Sequence, residues 1–172
     1  MQNTRTMKDD MVTWCNNVMT VRASPDVIAK MEDALEESRL MNTFARVRKG
    51  ATEAERIARW GTRWEIAVGD TVILEDEENK KQKRGDSEKS ADKITGSFLT
   101  VDGPPLAFFN TLCTTEGVES VSVYYVDFVT PRAGTWVDGE ETDFSNEPRS
   151  RKVPSDFWRI MDCMNEYPGL KV

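Results

Sequence analysis

An α+β domain, with an antiparallel sheet strung in the order βαββαβ, is the fold class this sequence predicts. Segments rich in β-branched and aromatic residues alternate with segments whose apolar residues recur at helical spacing. Each of two amphipathic helices lies between strand-like segments. The chain has 172 residues, 38% of them hydrophobic and 31% charged. That suffices for one domain with a real core and without disulfides or metals.

The elements follow in order. Residues 1–10 read as a flexible polar lead, and the domain itself as 11–140. Met11 to Arg22, rich in Val and Thr, reads as the first strand. Ser24-Pro25-Asp26 then supplies an N-cap, a proline at the first helical position and an acid in the first turn. Val27, Ile28, Met31, Ala34 and Leu35 give a helix over 25–40. Residues 52–59 favour a short helix by propensity. Trp64, Ile66, Val68, Val72 and Leu74 share one parity, so 63–75 reads as a strand, with Gly69-Asp70 as a bulge or turn inside it. Residues 76–92 carry mixed charge and no apolar anchor, and read as a mobile hairpin loop.

Ile94 to Val101 is the return strand. Pro104-Pro105 starts a second helix with Leu106, Phe109 and Leu112 or Cys113 on one stripe, and Gly117 ends it. Val118 to Thr130 is a strong strand, and Thr135-Trp136-Val137 adds one more. Residues 141–172 read as a linker followed by a C-terminal helix over about 154–166, with Phe157, Ile160, Met161 and Met164 on one face. The whole is the split βαβ, ferredoxin-like arrangement, with both main helices on one face of the sheet.

Composition narrows the function. The formal net charge is −7 and the pI is near 4.8, so the surface repels phosphate backbones and no direct nucleic-acid binding is expected. Residues 1–10 lack the apolar run of a signal peptide and no apolar run is long enough to span a bilayer, so a cytoplasmic location without membrane contact is expected. Cys15, Cys113 and Cys163 have no CxxC spacing and read as reduced thiols. There is no histidine, which removes Ser–His and Cys–His catalysis and imidazole metal sites. Glu75 to Glu78 lack the spacing and glycine of a calcium loop. No metal and no cofactor are expected.

Several short segments resemble a known family. Trp14-Cys15-Asn16-Asn17 is similar to the "WC-x-N" opening of the YubB-like proteins, a plasmid- and phage-borne family of unknown function. Trp60-Gly61-Thr62-Arg63-Trp64-Glu65 resembles that family's WGTKWD segment, with Arg for Lys and Glu for Asp. Phe98-Leu99-Thr100 with Pro104-Pro105, and Tyr124-Tyr125 with Gly134-Thr135-Trp136, resemble its later strands and helix start. At 100–103 the chain has TVDG where the family carries an aromatic. The resemblance spans roughly 11–140. It implies a ferredoxin-like fold without an iron–sulfur cluster and a setting among mobile elements, but no reaction.

Two sets of candidate residues follow. The acidic helix face Glu32, Asp33, Glu36 and Glu37 would meet a basic partner, and Phe157, Trp158 and Met161 would supply aromatic and apolar anchors. Asn16, Trp60, Arg63 and Trp64 would line a pocket, although indoles commonly pack in cores and a strand asparagine commonly bonds across its sheet. The expected function is that of a non-enzymatic binder or inhibitor of a host protein or complex, of counter-defence type. The alternative is a small nucleotide-binding protein or enzyme with its pocket at the WGTRW segment. Oligomeric state is not written in the sequence.

Overall fold

The structure, a computed structural model, describes residues 12–66, 72–74, 93–127 and 132–144. In chain order these hold β1 (Trp14–Ala23), α1 (Pro25–Glu36), α2 (Leu40–Phe44), α3 (Glu53–Trp60), β2 (Val72–Leu74), β3 (Lys93–Val101), α4 (Leu106–Cys113), β4 (Val118–Asp127), β5 (Arg132–Val137) and β6 (Glu140–Asp143). The protein is α+β. Its strands form one open antiparallel sheet in the order β2-β3-β1-β4-β5-β6. The earliest strand is therefore central: Asn17 stands opposite Phe98 on one side and Tyr125 on the other.

Register decides which side chains meet the helices. Along β1 the odd positions Met19, Val21 and Ala23 join the core, and their partners Ile94, Val121 and Val123 lie on the same face. The helices contribute Ile28, Met31, Ala34 and Leu35 from α1 and Phe108, Phe109 and Leu112 from α4. Phe109 meets Trp136 of β5 with ring centroids 5.6 Å apart. At Gly96 of β3 an added Cβ would stand 2.9 Å from a Leu35 methyl, so the missing side chain lets α1 approach the sheet. On the other face Phe144 packs against Tyr124, Val126 and Ala133.

Four features depart from the sequence expectation. The first helix ends at Glu36 rather than at 40, because Ser38 takes a left-handed φ of 50°. Its N–H then donates to Leu35 and that of Arg39 to Ala34, a Schellman closure made without glycine. Leu40–Phe44 forms a separate short helix. Residues 63–66 are a loop, not the start of a strand: Trp64 is exposed and Ile66 buried although they share parity. β6 is an addition, placed against β5 by the Asp138-Gly139 turn, both residues at positive φ. The loop 76–92, the lead 1–10 and the helix expected over 154–166 lie outside the described residues. Among the described residues, no helix is long and apolar enough to cross a membrane.

Candidate functional site

The WGTRW segment is positioned from its N-terminal side by α3. Thr52 and Glu55 form a reciprocal cap there: the Glu55 N–H donates to the Thr52 hydroxyl, and the Thr52 N–H donates to the Glu55 carboxylate at 2.7 Å. The Arg48 guanidinium grips the same carboxylate through two hydrogen bonds of 2.9 and 3.1 Å. That contact and the Thr52 donors hold the Glu55 pKa down to about 2.

At the other end of α3, Trp60 points inward, 3% exposed, and its indole N–H donates to the Ala45 carbonyl at 2.6 Å. Gly61 then turns the chain at φ 86°. A Cβ there would sit 3.1–3.3 Å from backbone atoms of Pro105, Leu106 and Ala107. Both the angle and the space require glycine.

The loop is next tied to the end of β3. The Thr62 hydroxyl donates to the Val101 carbonyl at 2.7 Å. Arg63 donates through Nε to the Asp102 carboxylate and stands 3.9 Å from that of Glu53. Asp102 is held in turn by its own N–H, which donates to Thr13 at 2.9 Å. From the inner side Arg56 donates to the carbonyls of Arg63 and Ala51. Glu65 closes the segment: its two carboxylate oxygens accept the N–H groups of Met41 at 2.7 Å and Asn42 at 2.8 Å, capping α2 from a distance. Burial pushes the Glu65 pKa up, against the opposing pull of those donors.

All these ties serve to place one side chain. Trp64 emerges beside Trp14, the first residue of β1, with ring centroids 6.5 Å apart and planes tilted by 55°. Trp14 is 41% and Trp64 44% exposed. The Arg63 guanidinium carbon lies 5.9 Å from the Trp64 ring centroid. The arrangement is a rigidly mounted aromatic pair with a neutralised cation beside it.

Of the residues expected to line a pocket, Arg63 and Trp64 lie together, whereas Trp60 is buried in the core. Asn16 is buried in β1, its side-chain oxygen 3.5 Å from the Ser97 hydroxyl of β3. The Asn17 amide donates to Thr100 Oγ1 at 2.8 Å and to the Cys15 carbonyl at 3.1 Å, and Thr62 ties the WGTRW segment to the end of β3. Cys15 is buried, with its thiol directed to the Asn16 carbonyl and the Asn17 side-chain oxygen at 3.8 and 3.9 Å. Glu32, Asp33, Glu36 and Glu37 are exposed on α1 and at its end, where Glu37 pairs with Arg39. Phe157, Trp158 and Met161 lie outside the described residues.

Trp14 is the residue that sequence reasoning missed as a site. Strand parity carried the signal: Trp14 alternates with Cys15 and falls on the side of Thr20 and Arg22, away from Met19 and Val21. Among the described residues no group of three or more His, Cys, Asp or Glu is arranged to hold a metal ion. Compared with protein-family models, curated proteins and solved structures, the chain matches none.

Proposed function

We propose that this chain is a non-enzymatic binding protein whose principal anchor is the Trp14–Trp64 pair. The observation that carries the reading is the exposure of two adjoining indoles, each above two fifths, one at the start of β1 and the other on a loop fixed at four points. Exposed tryptophans in contact make an apolar patch of the kind that marks partner surfaces, and tryptophan is over-represented among residues that dominate binding energy. Mounting the loop in advance lowers the ordering cost of association.

The nucleotide reading gains no support from the geometry. A planar base held between two indoles needs parallel rings about 7 Å apart, two van der Waals separations. The indoles here are tilted and already touch. The mobile-element setting implied by the YubB-like resemblance makes a host protein or complex the proposed partner and counter-defence the proposed role. The acidic face of Glu32, Asp33, Glu36 and Glu37 would steer a basic partner toward the anchor. The ferredoxin-like assignment belongs with this reading, supported by the order β2-β3-β1-β4 and the antiparallel sense of its three pairs.

The test is a comparative pull-down from the native host with the wild type, a Trp14→Ala/Trp64→Ala variant, and a variant with the four α1 acids reversed to lysine. Loss of one defined partner in the tryptophan variant, with an unchanged melting temperature, supports the anchor. Retention of that partner by the tryptophan variant, with its loss in the acid-reversed variant, moves the site to α1.

A further inference from the structure

The surroundings of the pair define the chemistry of what it would hold. Among the described residues, two exposed carboxylates, Glu53 and Asp102, approach the Arg63 guanidinium, so acids outnumber the cation they face. Arg63 itself is largely withdrawn, its side chain 19% exposed, and its charge is turned toward these acids. The whole chain carries −7. Indole faces are electron-rich, and the Arg63 guanidinium already lies over that of Trp64. Rings tilted by 55° stand as adjoining walls with solvent before both.

We propose that the Trp14–Trp64 corner seats a cationic side chain, a lysine or arginine, on the partner's surface. The stem would lie along the indoles, and the charged head would be shared between a ring face and the carboxylates of Asp102 and Glu53. This deepens the anchor reading and rests on it. It also specifies the partner: a basic protein segment rather than an apolar helix or an acidic peptide.

The experiment uses the full chain labelled with ¹⁵N and follows the indole N–H signals, with those of Trp14 and Trp64 assigned from Trp14→Phe and Trp64→Phe. The probes are Nα-acetyl-lysine amide and Nα-acetyl-norleucine amide, which share a stem and differ by the ammonium group. Saturable shifts at Trp14 and Trp64, with lysine bound about threefold more tightly than norleucine and the difference shrinking in high salt, are expected. Asp102→Asn should reduce the lysine preference; should it loosen the loop, Glu53→Gln tests the same charge from α3. Equal binding of both probes overturns the cation assignment while leaving an apolar anchor intact. Shifts of neither signal, or shifts confined to other tryptophans, also overturn it. Failure of the anchor reading itself would appear separately, as a partner that still binds the double alanine variant.

Discussion

Trp60 and Trp64 flank one short turn and share a residue type, yet they do opposite work. Trp60 is enclosed by the core and has its N–H satisfied by Ala45, so its contribution is to stability. Trp64 is nearly half exposed and lies against Trp14 and Arg63. Gly61 separates them by reversing the chain against the start of α4. The difference teaches that an aromatic motif need not be either structural or functional as a unit. One indole fastens the segment, and the other is what the segment presents.

Substitutions should break that pairing of roles in a fixed order of size. Trp60→Ala should cost about 3–5 kcal/mol in chemical denaturation, as for other large aromatic truncations in cores, and should abolish binding only through unfolding. A cost below about 1 kcal/mol would deny Trp60 its core role. Gly61→Ala comes next at roughly 1–3 kcal/mol, since the new residue keeps a left-handed φ and crowds the backbone of α4. Trp64→Ala should change stability by less than about 1.5 kcal/mol. The same change should weaken the partner complex by about 2 kcal/mol, roughly thirtyfold in Kd by titration calorimetry.

The smallest effects concern the two carboxylates that brace the segment, and they differ in sign. Glu55 has its pKa lowered to about 2 from 4.5, so its stabilising contribution is present above 4.5 and is lost as pH falls toward 2. Glu65 has its pKa raised above 4.5, so its favourable contribution is full below 4.5 and is lost as pH rises through the raised value. Urea denaturation of wild type against Glu65→Gln should therefore favour wild type more at pH 4 than at pH 7. Against Glu55→Gln the trend should reverse. Parallel trends for both variants would contradict the assigned environments.

Much of the fold was legible because it rests on local signals. Pro25 with Asp26 marked the start of α1, helix propensity over 52–59 located α3, and β-branched runs located β3 and β4. The end of α1 was not legible, since a serine occupies the left-handed position where glycine is the usual sign. The loop 61–66 mimicked a strand because Trp64 and Ile66 keep alternate spacing, while its real constraints are contacts distant in sequence: Thr62 with Val101, Arg63 with Asp102, Glu65 with Met41 and Asn42. The site suffered most from this. Trp14 and Trp64 belong to different elements, and only the folded chain brings them together. Parity placed Trp14 on the outer face but could not name its neighbour.

The central position of β1 also bears on how the chain comes to be folded. Its hydrogen-bonding partners on both sides, β3 and β4, are synthesised long after it; Thr13 and Asp127, whose side chains meet at 3.4 Å, are 114 residues apart. A nascent chain that has not yet reached residue 93 holds this strand with neither flank paired. Such non-local closure is slow and leaves early species exposed to aggregation. Ribosome-bound lengths up to about residue 90 should therefore remain protease-sensitive throughout β1. Protection should arrive late and together, once β3, α4 and β4 have all emerged.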